Sequence, residues 1–379
     1  MKTQVTASAP GKLILLGEHA VVYRRPALVA AVDLRLTAVL RPHGGNKVHL
    51  SVPALGVQQR TSWPEIAAYA AAAAERWQAW HDAVEGGVAN DFATVRGDDP
   101  AHVLLLALGE ASSYLGELAS EGHCPGLHLS LRSELPIGSG FGSSAAAALA
   151  IVAGYLSLRG AAAPAEDLER LALTVERRQH GLPSGVDGAT VLHGGLIWAE
   201  RDDSGKLAFT PFPADSPLLP RFAVFHSGEP AESTGEVVAG VRRAAAAEPA
   251  RYEALWDEIE AASRELRELL AGGDDDPEAA VMLLRRASAA LEAAGVVPAP
   301  VVERIRAVEA AGGGAKISGA GSLAGPGAGS LLAVHPDPAR LDQLPALAGL
   351  RRYPVHLGAP GLQVDNELTA SLPRERRPR

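Results

Sequence analysis

Gly138-Ser139-Gly140-Phe141-Gly142-Ser143-Ser144 stands between a short alternating stretch, Leu127–Leu131, and a long run of small residues. Glycines let backbone amides approach a ligand closely. The first turn of a helix adds unpaired N–H groups and a positive dipole end, so phosphate is the natural occupant. The hydroxyls of Ser143 and Ser144 can cap that helix, touch a phosphate or ligate Mg2+. The string is not a Walker A loop, because no Gly-Lys-Ser/Thr follows, and it is not the dinucleotide fingerprint GxGxxG. An ordinary glycine loop with a serine cap is the competing reading. A second glycine-dense segment, residues 312–329, contains Gly319-Ala-Gly321 and reads either as a linker or as the facing wall of a cleft. Asp187 lies in the turn-rich string Pro183-Ser-Gly-Val-Asp-Gly188, where a side chain can be held out of regular structure.

Other polar residues say less by themselves. Glu176, late in a predicted helix, reads as a solvated carboxylate, and Lys12 simply follows a Pro-Gly pair. Glu18-His19 has no partner at zinc-protease spacing. Asp274-Asp-Asp276 before Pro277 reads as a loop with a helix cap, and no GxSxG elbow is present.

The elements that must carry these residues follow from periodicity. Strands are expected at Gln4–Ala7 and Leu13–Leu16, broken by Pro10-Gly11, then at 27–40 and 47–52. Ser62-Trp-Pro-Glu65 is a capping box opening an Ala-rich helix to about residue 83, and 100–118 reads as a second helix. An amphipathic helix is expected over 164–179, with Leu168, Leu171 and Val175 on one stripe, then a strand at 196–199. Prolines 211, 213, 217 and 220 mark a boundary. Beyond it come a strand at 222–225, a capping box at Ser233-Thr234-Gly-Glu236, three helical stretches to about 311, and strands at 316–318 and 330–334. The expectation is an α+β protein of two domains, 1–215 and 216–379, with a frayed tail at 373–379.

Composition bounds the partners. A net charge of −9 argues against nucleic acid, which selects for a basic face. The single cysteine, Cys124, points to a reducing compartment, and the N-terminal residues lack an apolar leader. The longest nearly apolar run, 145–158, is shorter than the ~20 residues that span a bilayer. A soluble, cytoplasmic protein with no membrane partner is expected.

Taken together, three blocks in order resemble the GHMP kinase superfamily: Ala9-Pro-Gly-Lys-Leu-Ile-Leu-Leu-Gly-Glu-His-Ala-Val-Val-Tyr23, Pro136–Ala146, and Lys316-Ile-Ser-Gly-Ala-Gly321. The first block and Glu176…His180-Gly-Leu-Pro-Ser-Gly-Val-Asp187 are most similar to its mevalonate kinase branch. The resemblance implies an N-terminal domain like domain 2 of ribosomal protein S5, a ferredoxin-like C-terminal domain, and ATP-dependent phosphorylation of a hydroxyl in the cleft between them. It implies that Asp187 takes the alcohol proton with Lys12 beside it, and that Ser144 and Glu176 hold Mg2+. Pro136, Gly138, Ser139, Gly140, Gly142, Ser143 and Ser144, with Gly319 and Gly321, would wrap the phosphates of ATP. Lys12, Glu18, His19, Asp187, Ser233 and Thr234 would face the acceptor, mevalonate. The rivals are 5-phosphomevalonate as acceptor, a related decarboxylase, and a catalytically silent nucleotide-binding homologue. A homodimer is familiar in similar enzymes. The chain departs from the branch at Ala147, where a tyrosine is common, at Gly188 in place of Asn, and in the lengthened segment 319–329.

Overall fold

A computed structural model describes residues 2–365 except 88–94, 96, 98, 118–123, 137 and 203–206. The 373–379 tail lies outside the described residues. The first strands are β1 (Val5–Leu16), β2 (Ala27–His43), β3 (Lys47–Val52) and β4 (Val57–Ser62). Helices α1 (Trp63–Glu85) and α2 (His102–Tyr114), strand β5 (Gly126–Ser133), and helices α3 (Ser143–Leu158), α4 (Ala165–His180) and α5 (Val186–His193) follow. Then come β6 (Leu196–Arg201), β7 (Leu207–Phe212) and β8 (Phe222–His226). The rest comprises α6 (Thr234–Ala247), α7 (Pro249–Gly272), α8 (Pro277–Ala293), α9 (Ala299–Ala310), β9 (Gly314–Ser318), β10 (Ser330–Val334), α10 (Ala339–Gln343), β11 (Arg352–Tyr353) and β12 (Gln363–Asp365).

The strands form two sheets. One has the order β12-β1-β2-β5-β3-β4, with β6 and β7 attached through β2; the other has the order β11-β8-β10-β9. The length of β2 explains the branch, since Ala27–Ala30 pairs with β6 while Leu36–His43 pairs with β5 on the same side. Several expectations are corrected. Pro10-Gly11 does not end a strand but marks a register shift between β1 and β2: Pro10 faces Arg35 and Gly11 faces Val32, so Asp33 and Leu34 bulge from β2. The proline-marked boundary contains β7, an edge strand of the first sheet in which Pro211 costs no ladder bond on its outer side. Four helices, not three, fill 234–310, because α6 and α7 are parted only at Glu248. The chain also returns to the first sheet at its far end, where β12 pairs with β1.

Helix α3 is buried on every face from Ala145 to Leu156, as expected of a helix that is apolar all round. Its alanines let it lie close against β1 and β2 on one side and α2 and α4 on the other. The second sheet is covered on both faces. Alternation puts Phe222, Val224, Leu332 and Val334 in the core shared with the first sheet, while Ala223, Phe225, Leu331 and Ala333 join a separate core with α7, α8 and α9. No helix among the described residues is long and apolar enough to cross a membrane.

Strand β9 locks the two sheets together. Ser318 Oγ accepts a hydrogen bond from the Ile14 amide at 3.0 Å and donates to the Ile14 carbonyl at 2.9 Å. Two residues earlier, the fully buried Lys316 ammonium donates to Glu18 Oε1, and to the Ile317 carbonyl at 2.8 Å. Burial pushes the Glu18 carboxyl up and the Lys316 amine down, each partly offset by the other's charge. Removing one member leaves an uncompensated charge in the core, whereas removing both does not. Lys316→Met should therefore cost about 3–5 kcal/mol of unfolding free energy. The double variant Glu18→Gln/Lys316→Met should recover much of that in urea denaturation. A single variant as stable as the parent would contradict this account of the pair.

Candidate active site

Three chain segments converge on one ion pair. Lys12 comes from β1, just past that register shift, and is 4% exposed; its Nζ lies 3.2 Å from Asp187 Oδ1. Asp187 is not in a turn, as the glycines around it suggest, but in the first turn of α5, with Gly185 at the N-cap in the left-handed region. The third segment is the glycine loop. Gly142 caps α3 at φ +67°, and a Cβ there would stand 2.8 Å from Lys12 Cγ and 3.4 Å from Asp187 Oδ2. Only glycine lets the loop pass over the pair. The Lys12 amide also donates to the Phe141 carbonyl at 2.9 Å, fastening β1 to the loop.

The second sheet supplies the opposite wall. A Cβ at Gly140 would come within 2.6 Å of the Ser318 carbonyl, and one at Gly319 within 3.2 Å of Gly140 Cα. The two glycine-rich segments therefore meet backbone to backbone. The cleft between them has a volume of 570 Å³, and its lining includes Lys12, Gly138, Glu176, Asp187, Thr234 and Gly319.

Most of the residues expected from the sequence share this cleft: Gly138, Gly140, Gly142, Ser143, Ser144, Gly319, Gly321, His19, Ser233 and Thr234 line it with Lys12, Glu176 and Asp187. Three do not. Glu18 is fully buried against Lys316 and turns away from the acceptor space. Ser139 points inward, its hydroxyl 3.3 Å from His226 Nδ1 and its carbonyl accepting from the Ser330 amide and hydroxyl. Pro136 stands at the loop's entry, outside the lining. His19 is buried, held by its Nε2 at 2.8 Å from the Ala320 carbonyl, and burial lowers its basicity. Ser233 caps α6 in a closed box with Glu236. The lengthened segment after Gly319 folds onto the approach to α6, where Ser322 Oγ and the Leu323 amide both donate to Glu232.

A second, more apolar chamber of 620 Å³ opens beside the start of α3, lined by Leu36, Val52, Leu55, His102 and Val103 among others. Nothing in the sequence marked these residues, which come from β2, β3, the turn after it and α2. Ala147 lines this chamber and not the cleft, so its departure from the common tyrosine bears on the chamber's occupant. Gln179 and His180 were also missed, although their spacing from Glu176 (i+3 and i+4 on α4) was a readable signal. His180 Nε2 lies 3.1 Å from Ser144 Oγ.

Glu176 is 2% exposed; burial, then the neighbouring Asp187, lift its carboxyl to about 8, with Lys12 opposing. Among the described residues no cluster of three or more His, Cys, Asp or Glu side chains could hold a metal by itself. Mg2+, however, is commonly held by one or two carboxylates with substrate phosphates completing its shell, and Glu176, Asp187 and the Ser144 hydroxyl suit that donor set.

The family model for the GHMP kinases N terminal domain matches residues 106–195, the stretch from α2 through the glycine loop to α5. Mevalonate kinase from Bos taurus is 33% identical over 288 residues, covering 69% of this chain and 68% of its own length. Mevalonate kinase from Thermococcus gammatolerans is 30% identical over 343 residues, 88% of this chain and 90% of its own. The crystal structure of L. major mevalonate kinase in complex with R-mevalonate superposes with a TM-score of 0.67 at 20% identity, covering 95% of this chain and 99% of that one. The segment from α2 to α5 is thus that of a GHMP kinase. The chain belongs to the mevalonate kinase family and is an ATP-dependent small-molecule kinase.

A carboxyl whose folded value is raised binds its proton more tightly in the folded state. The stability this brings is fully present below the unfolded value of 4.5 and is lost as pH rises through about 8. With EDTA present and no nucleotide, the thermal midpoint should fall between about pH 5 and pH 8.5, and Glu176→Gln should flatten that fall by several degrees. Equal slopes for parent and variant in differential scanning calorimetry would show that Glu176 is not the titrating group.

Proposed function

We propose that the chain transfers the γ-phosphoryl group of ATP to the 5-hydroxyl of mevalonate. The observation that carries the reading is the Lys12–Asp187 pair lying under Gly142, at the point where the phosphate loop and the cleft meet. Asp187 is placed to accept the proton of an alcohol in the cleft while the alcohol oxygen attacks the γ-phosphorus. The bond from that phosphorus to the β–γ bridging oxygen breaks, and ADP leaves. Lys12 offsets the negative charge that gathers as this happens. Backbone amides at the start of α3 and along Gly138–Gly142 serve the β- and γ-phosphates, and the nucleoside lies in the apolar chamber beside Ser143 and Ser144. Phosphoryl transfer is mostly positioning and charge stabilisation, so these groups suffice. Glu176 and Ser144 would hold Mg2+, which supplies charge neutralisation on the phosphate oxygens.

The acceptor assignment rests on charge. The cleft carries Glu176, Asp187, Glu229 and Glu232 against Lys12, His19 and His180, and no arginine is among its described lining residues. A phosphorylated acceptor brings about two further negative charges that such a wall does not neutralise. A monoanionic acid can instead direct its carboxylate to the N-terminus of α6, where Ser233 and Thr234 face the cleft.

We take the chain to work as two lobes, about 1–215 and from 216 onward, with β12 returned to the first. A homodimer of such two-lobed chains is compatible with this arrangement. The lone cysteine, Cys124, suits the reducing cytoplasm.

The deciding experiment is ADP release with Mg-ATP and, separately, mevalonate, 5-phosphomevalonate, homoserine and galactose, with each product identified by mass spectrometry. Turnover on mevalonate alone, giving a monophosphate, is expected. Turnover only on 5-phosphomevalonate would overturn the acceptor assignment, and loss of carbon dioxide from a product would replace the kinase reading with a decarboxylase.

A further inference from the structure

The apolar chamber and the cleft share four lining residues: Ser143, Ser144, Gln179 and Ser233. Three have a task already. Ser143 and Ser144 begin α3, with the Ser144 hydroxyl next to His180, and the Ser233 hydroxyl donates to Glu236. Gln179 differs. It is 8% exposed, and its Oε1 is buried without a hydrogen-bond partner. Leaving a buried amide oxygen unpaired is costly, and such groups in native proteins call for an explanation. Turning the amide over would put an unpaired NH2 group at the same place, so the need for a partner belongs to the position.

The helix fixes what Gln179 can reach. Glu176, Gln179 and His180 share one face of α4, so Gln179 lies within one turn of the carboxylate beside Lys12 and next to the His180–Ser144 contact. It stands between the amides that suit phosphates and the chamber that suits a base. In a nucleotide, the part between phosphates and base is the ribose, whose 2′ and 3′ hydroxyls each donate and accept.

We propose that Gln179 recognises the ribose, its side-chain oxygen accepting a hydrogen bond from a ribose hydroxyl at the junction of chamber and cleft. The inference rests on reading the chamber as the nucleoside site. It makes Gln179 a selector for ribonucleotides: a site built to pair a hydroxyl loses affinity for an analogue lacking it, because the buried oxygen is then left unpaired.

The test is equilibrium binding, by calorimetry and without acceptor, of ATP, 2′-deoxy-ATP and 3′-deoxy-ATP. The parent protein is compared with Gln179→Leu and Gln179→Met, both of which remove the amide without adding charge. Met nearly keeps the length of the side chain, which guards against a Leu variant that does not fold. The parent should bind ATP about 10-fold more tightly than at least one deoxy analogue. Both variants should bind ATP about 10-fold more weakly and that analogue about as the parent does, so that the preference falls to about one. A parent that binds ATP and both analogues equally, or variants that keep its full preference, would overturn the ribose assignment and leave the nucleotide site standing. A parent that binds none of the three would overturn the nucleotide reading and this inference with it.

Discussion

Lys12 and Asp187 can stand 3.2 Å apart beneath the glycine loop only because residue 142 has no side chain. That steric fact orders the rest of the site. It draws strand β1, the N-terminus of α3 and the N-terminus of α5 to one point, and each brings a different chemical resource. The strand brings a cation on a rigid, buried stem. The first helix brings unpaired amides and the positive end of its dipole, and the second brings a carboxylate one-third exposed to the cleft. The second sheet joins the same construction through Ser318 and Lys316 on β9, which grip Ile14 and Glu18 on either side of the turn that leads to His19. Glycine loop, ion pair and facing wall are thus parts of one bonded unit.

Charge explains how a protein with a net charge of −9 can handle a polyanion. The field that matters is local. At the site two carboxylates face a single lysine, and burial, then the neighbouring Asp187, raise the Glu176 carboxyl against the opposing pull of Lys12. The glycine loop contributes positive character without adding a titratable group. The cleft wall beside α6 adds Glu229 and Glu232, so negative charge predominates there.

What the sequence made legible was local. The glycine loop was readable as a loop opening a helix because its glycines fall between an alternating strand and a small-residue run, and both capping boxes, at Ser62 and Ser233, were readable because each is closed within four residues. What escaped was tertiary. Glu18 was expected in the acceptor pocket from the family resemblance alone, yet its partner Lys316 lies 298 residues away and draws it into the core. Strands β4 and β7 escaped because edge strands tolerate polar residues and proline, and Gln58, Gln59, Arg60 and Pro211 hid them. Helix α5 was obscured by the glycines at 185 and 188. The chamber had no motif at all, since its lining is assembled from residues scattered along the chain, from Leu36 to Glu236.

The most direct test of this account is a comparison of Asp187→Asn with the parent in two measurements on the same preparation: nucleotide affinity, and the rate of phosphoryl transfer to mevalonate at saturating ATP. If Asp187 receives the alcohol proton beside Lys12, the variant binds nucleotide as the parent does and transfers the phosphoryl group roughly 10²–10⁴-fold more slowly. Equal transfer rates in parent and variant would contradict the account at its centre, because the ion pair would then be structural and the proton would leave by another route.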